Sequence, residues 1–342
     1  MKLGIIGLPG SGKATTFEAL THNIQDIQNK AEDRIGTIRV PDQRVGILHQ
    51  MYQPKKTIYA QVEYFLPSSA GQKKAKDNPA MIFNPVRDCD ALIQVIRNFK
   101  TYGEEAPSPK KDYMTLEGEM ILSDLLVVEK RLERLELDAK RGKKGTPEEL
   151  ALLAECKTCL EKDLPIRSHP DLAHSPLLRG FAFISGRPLL VLFNNMDEDN
   201  DPPVDASGIE NAMVIRSKLE QELAKMSEEE AKEFLAEFGI TESAMDRVIL
   251  KSYDLQGMIS FFTVGEDEVK AWTLKKSTPA VEAAGVIHSD IQQGFIRAEV
   301  LAYEDLMAAG SYAEARKKGT VRLEGKTYEV KDGDIINFRF NV

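Results

Sequence analysis

Met1-Lys-Leu-Gly-Ile-Ile-Gly-Leu-Pro-Gly-Ser-Gly-Lys-Ala-Thr-Thr-Phe-Glu-Ala-Leu20 opens the chain, and its reading decides the fold. Residues 1–6 form an apolar run of strand length. Residues 7–13 form a loop of the pattern G-x-x-x-x-G-K, and residues 14–20 read as a helix. Strand, loop and helix in that order are the setting of a phosphate-binding P-loop. Gly7, Gly10 and Gly12 let the backbone turn tightly and aim N–H groups inward. The helix N-terminus adds partial positive charge and Lys13 adds a full one. The candidate phosphate-binding set is therefore Gly7, Pro9, Gly10, Ser11, Gly12, Lys13, Ala14 and Thr15. A Ser or Thr ordinarily follows the lysine, and its hydroxyl is a normal magnesium ligand. Ala14 stands there instead, so the motif is strong for phosphate binding and damaged for catalysis. The competing reading is a glycine-rich turn with no ligand.

The chain has 342 residues, 42% hydrophobic and 29% charged, which suits two or three soluble globular domains. No apolar run approaches the ~20 residues of a membrane span. The N-terminal apolar run leads straight into the loop, so no signal peptide is expected, and a cytoplasmic protein with no membrane partner follows by elimination. A net charge of −9 argues against a general polyanion binder, and no DNA partner is expected, although a local basic patch stays open. Cys89, Cys156 and Cys159 make no disulfide framework, and Cys156 and Cys159 read as core or surface thiols. The five His are scattered, and no Ser/His/Asp set or metal spacing stands out.

Working outward, a short strand is expected at 36–40, a helix at 44–52 and one alternating strand over 57–66. In a P-loop NTPase the last of these should end in an Asp that holds magnesium through water. Here it ends Phe65-Leu-Pro-Ser-Ser-Ala-Gly71, without a carboxylate. Residues 91–96 are a buried parallel strand by their continuous apolar run, and 101–111 read as a linker. Ile121, Leu125, Val128, Leu132, Leu135 and Ala139 then fall on a heptad seam. Basic residues at 140–145 turn the chain, Thr146-Pro-Glu-Glu149 starts a helix, and Leu150, Leu153, Lys157, Leu160 and Leu164 repeat the seam. The result is an antiparallel coiled-coil hairpin with a basic tip, either a structural arm or a docking arm suited to nucleic acid.

A short helix is expected at 177–183. Residues 187–193 read as another buried strand, with Asn194-Asn-Met-Asp-Glu198 at its C-terminal end, where open α/β sheets place ligand-binding groups. An Asn side chain can present a donor and an acceptor to a purine edge. Helices are expected at 214–226, 228–238 and 244–253. Strands at 258–264 and 269–274 are expected to continue the same domain. From 277 onward the pattern is a small α+β module with strands at 295–300, 321–324, 327–330 and 335–340 and one helix at 303–309. The fold class is α/β: a doubly wound P-loop NTPase sheet with an inserted helical hairpin, followed by an α+β domain.

The combination resembles the Obg-like ATPase family (YchF type). The resemblance rests on Gly7-Leu-Pro with Gly12-Lys13, on Val127-Val-Glu-Lys-Arg-Leu-Glu-Arg-Leu135 and on Asn195-Met-Asp-Glu198. It is strongest in Phe261-Phe-Thr-Val-Gly-Glu266, Ala271-Trp-Thr, Ala283-Ala-Gly-Val-Ile-His-Ser-Asp290, Gly294-Phe-Ile-Arg-Ala-Glu299 and Phe338-Arg-Phe-Asn-Val342. It implies a nucleotide-binding domain over 1–111 and 167–276, interrupted by the hairpin at 112–166, and a C-terminal TGS domain of β-grasp type over 277–342. It also implies ATP in preference to GTP, with Asn195 and Glu198 at the base and Met196 packing beside it. Association with ribosomes or other translation components is implied too, and leaves RNA open as a partner. The departures matter equally. Gly10-Ser11 replaces Asn-Val, Ala14 replaces Ser, the Asp after the 57–66 strand is gone, the first switch looks shortened, and 101–111 lack the family's water-positioning His. Thr15 offers a hydroxyl, but at ~100° per residue it should point elsewhere. The reading is a purine-nucleotide binder, ATP more than GTP, with weak or absent hydrolysis and magnesium undecided. The alternatives are a slow ATPase with an atypical metal site, and a scaffold without nucleotide.

Overall fold

The computed structural model describes residues 1–22, 32–68, 83–103, 105–141, 146–237 and 243–341. The chain divides into two compact units, Met1–Thr37 with Glu63–Val248, and Ile38–Val62 with Ile249–Val342. Among the described residues no helix is long and apolar enough to cross a membrane.

The first unit is organised by a sheet of β1 (Lys2–Ile6), β2 (Arg34–Arg39), β4 (Gln61–Leu66), β5 (Ala91–Asn98), β6 (Leu189–Asn195) and β7 (Ala212–Ile215). Their spatial order is β2-β4-β1-β5-β6-β7, while β3 (Lys56–Ile58) lies in the other unit's sheet. β4, β5, β6 and β7 run parallel to β1 or to one another. The first six residues of β5 and all of β6 are buried, as strands covered on both faces should be. Ile6, Phe65, Leu92, Ile96, Val191 and Phe193 form one apolar cluster with Leu116 and Met120 of the long helix below. β1 sits between β4 and β5, so the loop after it opens at the strands' carboxyl end, where such sheets bind ligands.

The hairpin is α3 (Pro109–Lys140) and α4 (Pro147–Leu160); α1 (Lys13–Thr21) and α2 (Gln43–Tyr52) precede it. Pro109 sits in the first turn of α3, where its missing N–H is harmless, so the helix begins inside the stretch expected to be linker. Ile121 and Val128 share a cluster with Leu153, Cys156 and Leu160. The expected seam on α4 is corrected here. Lys157 turns out to Glu129 at 3.2 Å, Cys156 takes the inner position, and Leu150 and Leu164 are exposed. Residues 142–145 of the basic tip lie outside the described residues, as do 29–31 of the first-switch segment expected between Asn29 and Arg39 and 69–71 of the segment after the 57–66 strand.

Two further expectations in this unit change. Residues 177–183 hold only a 3-10 turn, Arg179–Phe181, and 214–226 are not one helix. Val214 pairs with Phe193 as part of β7, because the β-branched Val214 and Ile215 suit an edge strand better than a helix start, and α5 (Ser217–Leu223) follows. α6 (Glu228–Glu237) and α7 (Ala244–Leu255) come next.

The second unit's sheet contains β8 (Met258–Val264), β9 (Glu268–Lys275), β10 (Phe295–Ala302), β11 (Arg322–Glu324) and β12 (Asp334–Phe340). Its order is β11-β10-β12-β8-β9-β3. β8 and β9 therefore join this sheet instead of continuing the first. The single strand expected over 57–66 is two: β3 pairs with β9, the Ala60 carbonyl accepts the Val40 N–H, and β4 goes to the first sheet. No strand covers 327–330, where one bridge joins Pro279 and Glu329. Four helices, not one, accompany the strands: α8 (Ala280–Ile287), α9 (Ser289–Gln293), α10 (Tyr303–Ala309) and α11 (Tyr312–Lys317). Ala280, Ala283 and Ala284 of α8 bring it close against Phe261, Phe295, Val300, Ile336 and Phe338 on one sheet face.

Candidate functional site

The loop after β1 is shaped by close approaches. A Cβ on Gly7 would meet the Val95 carbonyl at 2.4 Å. Gly12 caps α1 at φ 94°, and a Cβ there would meet Asn194 Nδ2 at 2.2 Å. Both positions therefore require glycine. Pro9, Gly10 and Ala14 are exposed, Thr15 is half-buried, and Ser11 is buried. Lys13 Nζ donates to the carbonyls of Gly7 at 2.7 Å and Leu8 at 2.8 Å, which curls it over the loop. Burial pushes its ammonium down to about 8. The Thr16 hydroxyl bonds the Gly12 carbonyl at 3.1 Å and Ser217 Oγ at 2.8 Å.

Asn194, quoted in the run at the end of the 187–193 strand but left out of the base-binding set, ties that run to the loop. Its Nδ2 donates to the Ser11 carbonyl at 3.1 Å, and its Oδ1 accepts the Ser217 N–H at 3.0 Å. One buried amide thus ties the P-loop, the end of β6 and the start of α5 together. Asn195 is also buried, and both ends of its amide are engaged: Oδ1 accepts from Asn98 at 2.9 Å and Nδ2 donates to the Asp201 carbonyl at 2.8 Å. Met196 and Glu198 are exposed on the turn that follows, and Asp197 is half-exposed between them. Arg216 holds that turn by donating to the Asp197 carbonyl at 3.2 Å. The sequence-derived residues thus gather in two places: Gly7 through Thr15 in the loop, and Asn195, Met196 and Glu198 at the end of β6, bridged by Asn194.

The third strand end carries no acid of its own. β4 runs out in Leu66-Pro67-Ser68, and the Ser68 N–H donates to the Asp33 carboxylate at 2.8 Å. Among the described residues no group of three or more His, Cys, Asp or Glu is placed to hold a metal ion.

Comparison with known proteins bears on this arrangement. A family model described as YchF-GTPase_C, protein of unknown function (DUF933), matches residues 258–341. A protein of Bacillus subtilis named ribosome-binding ATPase YchF is 38% identical and covers 99% of both chains. The protein of the same name from Pasteurella multocida is 34% identical over 100% of this chain and 99% of its own. The solved structure of the Schizosaccharomyces pombe YchF GTPase superposes with a TM-score of 0.84 at 26% identity, covering 99% of this chain and 97% of that one.

Proposed function

The chain belongs to the YchF family, and from that premise we propose that it binds a purine nucleotide, ATP in preference to GTP, and hydrolyses it weakly or not at all. The supporting observation is the loop itself. Gly7 and Gly12 sit where no side chain fits, Lys13 lies across the loop carbonyls, and Asn194 braces Ser11 from behind. Backbone N–H groups and Lys13 would take the β- and γ-phosphates. Asn194 and Asn195 would hold loop and turn in place, leaving Glu198 to accept from the base amino group and Met196 to pack on the ring. Asn194 with Asp197 offers a second reading of the base, since the Asn194 amide is the one bonded to the loop and an Asp three residues on would accept from guanine.

Magnesium, which the family's chemistry implies, finds a poor set of donors. Ala14 has no oxygen, and β4 ends without a carboxylate apart from Asp33 borrowed from the start of β2. Such an ion demands near-octahedral oxygen geometry. Without metal-assisted charge neutralisation, phosphoryl transfer should be slow.

Relatives named as ribosome-binding support the same association here; we assign it to the hairpin and the C-terminal part, in the cytoplasm. In this reading the nucleotide-binding part is interrupted by the hairpin at 112–166. We take the TGS-type part to begin nearer 258 than the expected 277, since β8 and β9 pair within its sheet.

Calorimetric titration with ATP and GTP, each with and without magnesium, tests the reading. ATP heat that disappears in Lys13→Ala is expected. Turnover that vanishes in the same variant would favour the slow ATPase, and no heat or thermal shift for either nucleotide would leave the scaffold.

A further inference from the structure

Lys13 sits in its loop with the geometry of an amine. Its Nζ donates to two carbonyls, Gly7 at 2.7 Å and Leu8 at 2.8 Å, and no carboxylate meets it among the described residues. An ammonium would be left with a third N–H. A neutral amine has two, so these acceptors satisfy it in full and leave its lone pair unengaged. The charged groups on the surrounding elements have other partners. Glu18 of α1 takes Arg34 at 2.8 Å, Asp33 ahead of β2 takes the Ser68 N–H, and Arg97 of β5 donates to the Glu105 carbonyl. Glu220 of α5 takes Ser243 and the Ala244 N–H, while Asp197 and Glu198 stand on the turn after β6. Burial is what lowers the proton affinity of Lys13 to about 8. At neutrality about a tenth of it is then free amine, against about 0.04% of an ordinary lysine.

The same loop presents anion donors. The Ser11 N–H goes to the Leu8 carbonyl at 3.2 Å and the Thr16 N–H to the Gly12 carbonyl at 2.9 Å. The N–H groups of Gly12, Lys13 and Ala14 find no acceptor among the described residues. They open the N-terminus of α1, which favours a phosphate. Nothing lies within 4 Å of where a Cβ on Gly10 would stand, so the loop is open on that side. An amine beside a phosphate seat is matched to a reagent that carries its electrophile on a phosphate. We propose that Lys13 is a modification site for acyl phosphates, which dock their phosphate on the loop N–H groups and acylate Nζ. The lone pair attacks the acyl carbon, the C–O bond to phosphate breaks, and an amide forms. Inorganic phosphate leaves with the bonding electron pair and takes the surplus amine proton, so nothing is oxidised or reduced. The loop N–H groups stabilise the charge on the leaving phosphate. The amide keeps one N–H for a loop carbonyl but carries no charge, and the loop loses its cation. The acylation requires the phosphate seat proposed above and is indifferent to which base the site takes.

Acetyl phosphate and the full chain test it, with peptide mass mapping to read each lysine. Lys13 should be acetylated at least about tenfold faster than the exposed Lys110 and Lys111, because docking makes the step intramolecular. Its rate should saturate with acetyl phosphate, while theirs rises in proportion. Pyrophosphate should suppress labelling at Lys13 and leave Lys110 and Lys111 unchanged. At low reagent concentration the rate reports the free loop, so it should climb about tenfold per pH unit and level above ~8. Labelling of Lys13 no faster than of Lys110 and Lys111, labelling that pyrophosphate leaves unchanged, or a rate still climbing at pH ~10 would each overturn the assignment. The nucleotide titration is read separately. ATP heat without selective labelling overturns this assignment alone. Selective, pyrophosphate-sensitive labelling with no heat from either nucleotide overturns the nucleotide reading and leaves the acylation site standing.

Discussion

Two carbonyl oxygens accept from the Lys13 ammonium, yet burial wins and lowers its proton affinity to about 8. Between that value and the ordinary lysine range the unfolded chain binds the proton and the folded chain does not. The folding penalty of this one group is therefore present below pH ~8 and relieved as pH rises through the window. A polyphosphate on the loop favours the charged form, so binding takes up a proton there. Nucleotide affinity should be level near neutrality and fall by about tenfold per pH unit above ~8. Titrations at about pH 7 and about pH 9 check this, and an affinity equal at both would mean that Lys13 does not meet the phosphates. The loop was legible because its residues are neighbours in sequence and each has a local reason to be there. Asn194 was not. It differs from Asn195 only by which face of β6 it occupies, and its partners Ser11 and Ser217 lie 183 and 23 residues away. Two identical side chains on adjacent strand positions give the reader no chemical sign of which one turns toward the loop.

At the scale of elements, the long helix α3 is rooted by a carboxylate. Asp124 is fully buried, with Oδ1 accepting the Ile184 N–H at 3.0 Å and Oδ2 the Ser185 N–H at 2.7 Å. Arg87 reaches the same carboxylate at 3.4 Å and Ser123 Oγ at 2.7 Å. Asp124→Ala strands two buried N–H groups and a partly buried guanidinium, and should destabilise by about 3–5 kcal/mol. Urea unfolding of the variant measures it. A loss below about 1 kcal/mol would show that apolar packing alone holds the hairpin's root. Heptad spacing announced this helix pair, since the apolar period survives wherever one face is buried. It did not announce Asp124, which reads as one more solvated charge until the backbone of 184–185 is placed beside it. The strand 57–66 failed for a related reason. Alternation tells which face is buried, not which partner lies alongside. Nothing within ten residues shows that β3 leaves for β9 while β4 stays with β1.

On the scale of the molecule, the chain passes between its units three times, after Thr37, Val62 and Ile249's predecessor Val248, yet each unit has its own sheet and its own apolar cluster. The excursion through 38–62 was invisible in sequence because its only strand in that sheet, β3, is three residues long and pairs with residues 268–270. Separate cores should melt in separable steps. The nucleotide loop lies in the first unit alone, so a ligand that binds only the folded loop stabilises that unit by mass action. At a hundredfold excess over Kd the gain is about 2.7 kcal/mol, which for a unit of this size should raise its transition by about 5–10 °C. Arg297 lies in the second unit, so Arg297→Glu should leave that nucleotide-dependent rise intact and move only the other transition. Scanning calorimetry with and without ATP, on wild type and on this variant, checks both statements together. One transition that shifts as a whole would mean that the two cores unfold as one, and that binding at the loop is felt throughout the chain.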